Sequence, residues 1–222
     1  MAKNVMSDLR ELECQHDLVR LYSPADTRQI YRSAGRLPGA MDHDLLAFFR
    51  ESNGASILDY CFLGCKNPRI PDIRANMMQL WGQNDWLAGE IVPFVTTSAG
   101  EVFGYLYDQV FFGGHPVVYM SHCMSQSALL ISSSVGSFFA GFVKDVSLVL
   151  SRNPDAVQVD IRGWPLDLKS WINRDPMLAS AYNTGRFAKY YTSNPLFCQQ
   201  VQEISSSPEK KPDSNNRNGA KH

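Results

Sequence analysis

Three stretches rich in β-branched and aromatic residues, Ile91 to Thr96, Glu101 to Tyr107 and Pro116 to Met120, follow one another with only short turns between them. A chain that reverses within a few residues lays its strands side by side and antiparallel, because parallel neighbours need a crossover of roughly a dozen residues or more. The centre of the chain is therefore predicted to be an antiparallel meander. In its middle strand Val102, Gly104 and Leu106 point to one face, while Phe103, Tyr105 and Tyr107 point to the other. One face is expected against helices. The aromatic one is expected either beneath the C-terminal segment or in a contact surface.

Helical periodicity surrounds this meander. Val5, Leu9, Leu12, His16 and Val19 form an apolar stripe on a first helix that should stop near Ser23-Pro24, with His16 at the edge of the core. A short helix from Thr27 to Ala34 ends at Gly35. Asp42 caps a third helix whose buried face is Leu45, Leu46, Phe48 and Phe49, and Asn53-Gly54 supplies the left-handed residue that ends it. Ser56 to Leu63 reads as one strand, closed by Asn67-Pro68 and Pro71, after which Asp72 opens a helix through Ile73, Met77, Leu80 and Trp81. Ser134 starts a helix through about Leu150, with Phe138, Phe139, Phe142, Val143 and Val146 in its apolar stripe. Beyond Asn153-Pro154 the composition changes. Trp164, Trp171, Tyr182, Phe187, Tyr190 and Tyr191 occur among Pro, Asn and Arg, and a short helix starts at Asp175-Pro176.

Charge is distributed as unevenly as hydrophobicity. No Lys or Arg occurs from Ala75 to Val143, whereas Asp85, Glu90, Glu101 and Asp108 lie in that segment. An exposed surface built from it is negative; it repels phosphate and attracts basic protein surfaces, which argues against nucleic acid. The formal charge of −1 splits between a tail from Ser206 to His222, with Lys210, Lys211, Arg217 and Lys221 against Glu209 and Asp213, and a mildly acidic body. That tail has almost nothing to bury and is expected to be disordered.

At 222 residues with 44% apolar and 19% charged side chains, the chain is long enough for one generous core. Asp8, Arg10 and Glu11 interrupt the N-terminus before a signal peptide can form, and no window reaches the roughly 18 apolar residues of a membrane span. A cytoplasmic protein is expected. Five scattered cysteines, Cys14, Cys61, Cys65, Cys123 and Cys198, without a CxxC pair fit reduced thiols.

Recognisable enzyme motifs are absent: there is no GxSxG elbow, no GxxxxGK[ST] and no GxGxxG after a strand. A zinc site drawn from four of Cys61, Cys65, His115, His122 and Cys123 is argued against because both cysteines fall in a predicted strand, where residues four apart stand about 13 Å from each other and cannot share one ion. His122 beside Cys123 is an equally poor base and nucleophile, because adjacent strand residues face opposite ways. Asp42 and Asp44 at a helix start are better explained by the helix dipole than by acid/base chemistry, and Ser132, Ser133 and Ser134 by helix capping.

The order of landmarks is informative: Leu37-Pro38, an apolar helix, Asn53-Gly54, a strand, Ile91-Val92-Pro93-Phe94, Ala99-Gly100-Glu101 with Phe103 to Asp108, Pro116-Val117-Val118-Tyr119, then the helix with Phe138 and Phe139. Over about Asp26 to Leu150 this resembles the SUKH superfamily, which includes bacterial toxin-immunity proteins and fungal cell-wall regulators of the same fold. Ala99-Gly100-Glu101 stands where that family often has Gly-Gly-Asp, and the first helix lacks its usual tryptophan element. The resemblance implies an α+β domain, with helices packed on one side of a curved, mainly antiparallel sheet, over residues 1–152. An aromatic-rich C-terminal extension over 153–205, with short helices, packs on or beside it, and the polar tail covers 206–222. It implies a non-catalytic, protein-binding immunity protein that neutralises a cognate toxin, possibly a nuclease. The expected partner is a basic protein domain, with no cofactor, no metal, no direct nucleic acid and no membrane. Candidate contacts are Asp85, Glu90, Glu101, Asp108, Tyr105 and Tyr107. The alternatives are a regulatory scaffold in cell-envelope assembly and an enzyme using a cleft near residues 91–123 with His115, His122 or Cys123.

Overall fold

The computed structural model describes residues 3–84, 88–111, 113–121, 128–152 and 175–190, together with Cys198, Gln199 and Gln202. Among them, six α-helices accompany seven strands that form one open sheet, with every neighbouring pair antiparallel and the spatial order equal to the chain order. No helix among the described residues is long and apolar enough to cross a membrane. Asp85, His122, Cys123, Trp164, Trp171, Tyr191 and the tail from 206 to 222 lie outside the described residues.

Helix α1 spans Lys3–Gln15 and buries Val5, Met6, Leu9 and Leu12. It stops earlier than its apolar stripe suggests. The chain turns after His16, and Val19 belongs instead to strand β1 (Val19–Leu21) at the edge of the sheet. Helix α2 (Thr27–Ala34) starts with a capping box: Asp26 accepts from the Gln29 backbone N–H at 2.7 Å, and the Gln29 side chain accepts from the Asp26 N–H at 2.9 Å. Helix α3 (His43–Glu51) is capped by Asp42, and Gly54, at φ +90°, turns the chain into the sheet.

The run expected to be one strand folds back on itself. Strands β2 (Ala55–Ile57) and β3 (Tyr60–Phe62) form a tight hairpin in which Leu58 takes a left-handed φ of +56°. Leu58-Asp59 carries neither Gly nor Asn, the usual marks of such a turn, so pattern reading passes over it. Helix α4 (Ile73–Gln83), capped by Asp72, then leads into the meander: β4 (Ile91–Thr97), β5 (Val102–Leu106), β6 (Val117–Met120) and an unforeseen β7 (Leu129–Ser132). Register shifts between Pro93 and Val95, where proline offers no N–H to the ladder.

Helix α5 (Val135–Arg152) drives Phe138, Phe139 and Phe142 into the sheet. Phe139 stacks on Phe48 of α3 at 5.1 Å and on Phe62 of β3 at 5.6 Å; Phe138 meets Phe94 edge-on at 5.2 Å and Phe103 at 5.7 Å. The aromatic face of β5 therefore lies under the main helical layer. Among the described residues, the rings of α3 and α5 cover Phe103 together with those of β3 and β4, whereas Tyr107, beyond the end of β5, is only half-buried. Each such pair adds about 0.5–1.5 kcal/mol beyond simple burial. Strands β6 and β7 are buried along their whole length, so both of their faces are covered. Helix α4 packs along β4, and α6 (Pro176–Asn183) along β7.

Candidate functional site

Antiparallel register decides where the acidic residues go. Ile91 pairs with Leu106, so Glu90 and Asp108 flank the open end of the β4–β5 hairpin, while Glu101 sits in the turn at its other end. About five residues of strand, roughly 17 Å, separate the two groups. The cation-free segment thus yields two small acidic sites and not one continuous face.

Each carboxylate has its own surroundings. Glu101 is half-buried; it accepts from the Tyr119 hydroxyl at 2.5 Å and from Thr97 Oγ1 at 3.3 Å, which ties the turn to β6. Glu90 accepts from the Tyr190 hydroxyl at 2.9 Å, and Tyr190 belongs to a 3₁₀ turn at Ala188–Tyr190. Burial raises the Tyr190 pKa, and the hydrogen bond to Glu90 and the negative charges of Glu90 and Asp108 raise it further, so the phenol stays a donor. Asp108 is exposed. Neither Glu101 nor Asp108 pairs with a Lys or Arg among the described residues. Arg186 does reach this end, but its Nε and Nη2 donate to the amide oxygen of Gln109 at 3.0 and 2.6 Å, and its guanidinium stands over the Phe187 ring.

The two tyrosines part company. Tyr105 is fully buried and so is withdrawn from the candidate contacts: its ring packs 6.4 Å from Phe94 and 5.4 Å from His115. Tyr107 is half-buried against Gly39, where a Cβ would come within 2.6 Å of its ring. Beside them Val110 is 55% exposed.

Behind the hairpin lies a polar cluster that local sequence gave no means of assembling. Asp42, with no exposure, accepts from the Asp44 and Leu45 backbone N–H groups at 2.8 and 3.3 Å through Oδ1, and its Oδ2 lies 2.8 Å from His115 Nδ1. The capping role read from sequence holds. The partner 73 residues away in the β5–β6 loop does not follow from any local pattern. Burial, and then the Asp42 charge, raises the Tyr105 pKa, while the Asp42 backbone N–H lowers it in part. Asp44 rests on the first turn of α5, so close that a Cβ on Gly136 would come within 2.4 Å of its Oδ2. A carboxylate there meets the positive end of α5. Asp42, His43 and Asp44 bring ligand atoms within 4.8 Å of one another, but Asp42 already gives both oxygens to protein donors, as expected of a structural cap.

Asp175 is the second residue whose partners sequence reading missed. It precedes a helix as predicted, yet makes no capping bond to α6. It accepts from Ser132 Oγ at 3.0 Å, Ser133 N–H at 2.7 Å and Ser133 Oγ at 2.8 Å. Of the three serines expected to cap α5, only Ser134 does so, accepting from the Ser137 N–H at 3.0 Å.

The thiols are poorly placed for catalysis. Cys65 lies beyond β3, not in it, so the strand-spacing argument against a shared metal ion does not apply to it. Burial pushes its pKa up to about 11, with Ser33 offsetting part of this and Asp72 adding to it, and burial likewise raises Cys61. Both remain protonated at neutral pH, and a protonated thiol is a weak nucleophile. In comparisons with known proteins, the chain matches no protein-family model and no curated sequence.

Proposed function

We propose that this chain is a non-catalytic protein-binding domain, a SUKH-type immunity protein that neutralises a cognate toxin, possibly a nuclease, by covering a basic surface. The observation that carries the reading is the charge balance of the β4–β5 hairpin: Asp108 stays exposed, and neither it nor Glu101 acquires a Lys or Arg partner among the described residues. Basic nuclease grooves grip phosphate, and carboxylates held on a rigid hairpin compete for the same cations. Half-buried Tyr107 and exposed Val110 add the apolar contact that such an interface needs at its centre. In this reading Glu90, Asp108 and Tyr107 act together from the open end of the hairpin, and Glu101 acts from the opposite end.

Co-expression with the toxin-like gene products of the source neighbourhood tests the reading. Rescue of growth and a stable complex are expected, with Asp108→Lys weakening the complex about tenfold. Failure to bind or neutralise any of them overturns the immunity reading, whereas an undiminished complex with Asp108→Lys overturns only the hairpin interface.

A second reading, an enzyme, has one observation behind it. Asp42 holds His115 through Nδ1, the way a carboxylate orients a catalytic imidazole. The side chain is only 16% exposed, and a tie between α3 and the β5–β6 loop accounts for it equally well. Turnover abolished by His115→Gln, with the fold intact by circular dichroism, is the result that favours catalysis.

A further inference from the structure

A second charged surface, opposite in sign to the hairpin acids, lies on α2. Around a helix, at about 100° per residue, its exposed arc runs in the order Gln29, Arg32, Arg28, Tyr31, with Ile30 and Ser33 buried on the far side. Arg28 and Arg32 stand one turn apart, about 6 Å along the axis. Tyr31 is 73% exposed, the highest exposure of any large apolar or aromatic side chain described. None of these arginines pairs with a carboxylate among the described residues.

Gln29 leads from this arc into a groove of about 220 Å³, walled also by Tyr22, Pro24, Asn67, Pro68 and Arg69. No carboxylate lines it. Gln29 spends its Oε1 in the capping box, so its Nε2 hydrogens take no part there and remain donors; Arg69 brings a guanidinium with no carboxylate partner among the described residues. The loop that carries Arg69 is held rigidly. Asn53 exchanges two hydrogen bonds with the Cys65 backbone, at 2.7 and 3.2 Å, and Asn67 spans the Asn53 carbonyl at 2.8 Å and the Arg69 N–H at 2.9 Å. Lys66 is kept at a left-handed φ of +52°, its N–H donating to Asp72. Strain of this kind persists only where surrounding bonds over-determine it, and it pre-organises the neighbouring wall.

We infer that α2 and this groove form a docking surface for an acidic protein segment, one of whose Asp or Glu side chains enters between Gln29 and Arg69 while neighbouring carboxylates meet Arg28 and Arg32. Charge complementarity argues for an anion: the exposed arginines Arg28, Arg32 and Arg69 outnumber the one carboxylate beside them, Asp26, whose Oδ1 is held by the Gln29 N–H in the capping box, and the guanidinium fork matches a carboxylate with two parallel bonds. Size argues for a protein. The groove is smaller than the clefts of about 300–1,000 Å³ that take whole ligands, and suits one inserted side chain. Arg and an exposed Tyr are also the residue types that most often anchor protein interfaces.

The test is fluorescence anisotropy of the full chain with a fluorescein-labelled oligo-glutamate peptide, beside a labelled single-stranded oligodeoxynucleotide of equal length. The peptide is expected to bind. The exposed double variant Arg28→Glu/Arg32→Glu should weaken it about tenfold and Arg69→Gln about threefold, while Asp108→Lys leaves binding unweakened. The inference is overturned if the peptide does not bind, if the double variant binds it as well as the parent, or if the oligonucleotide binds more tightly than the peptide. Because Asp108→Lys probes the hairpin and the arginine variants probe α2, this surface and the proposed toxin interface fail separately.

Discussion

The aromatic layer between α5 and the sheet and the C-terminal segment from Asp175 to Tyr190 are both buried against the same body, yet they are held by different forces. The first depends on many undirected contacts among Phe48, Phe62, Phe94, Phe138, Phe139 and Phe142. The second adds to its apolar residues, Leu178, Ala181 and Phe187, a row of directed bonds: Asp175 to two serines, the Tyr182 hydroxyl to the Leu130 carbonyl, Arg186 to Gln109, and Tyr190 to Glu90. Undirected packing shares strain across a whole layer, so damage there costs global stability. Directed bonds concentrate it in a few atoms, so damage there releases a local piece.

The sharpest way to break the contrast is on the aromatic side. Phe139→Ala should lower unfolding stability by about 3–5 kcal/mol, read from the urea midpoint, with all spectroscopic probes shifting together. Asp175→Ala should cost about 2–4 kcal/mol because it leaves the buried Ser133 N–H without an acceptor, and limited proteolysis should then cut within 175–190 before the rest unfolds. Simultaneous cleavage everywhere would erase the proposed difference. Gly136→Ala should cost about 1–3 kcal/mol, since the buried Asp44 carboxylate has little room to retreat from a new Cβ. Tyr190→Phe removes one hydrogen bond of the C-terminal row, about 1 kcal/mol by denaturation.

The smallest effect is in pH. The folded pKa of Cys65 is raised from 9.0 to about 11, so its contribution is complete below about pH 9 and is lost as pH rises towards 11. At about pH 9.5 the loss is under about 1 kcal/mol. Wild type should therefore lose stability over that window faster than Cys65→Ala, and Cys14, exposed, should react with a thiol reagent long before Cys65 does.

Much of this protein was legible one segment at a time. Asp42 and Asp72 as caps, the apolar stripe of α5 and the α6 start at Asp175-Pro176 rest on interactions within about four residues, which a linear pattern records directly, and the β4–β5–β6 meander follows from strand signals in close succession. The hairpin at Leu58 and strand β7 escaped because one lacks turn residues and the other runs straight into a helix start. Neighbourhood came from the packing of distant segments. Register sent Glu90 and Asp108 to one end of a hairpin and Glu101 to the other; Tyr105 was buried beside Phe94 and His115; and Asp42 found His115, as Asp175 found Ser133, across 73 and 42 residues. The charge of the middle of the chain was fixed by its residues, but where that charge faces depends on which strand lies beside which, and no local periodicity carries that information.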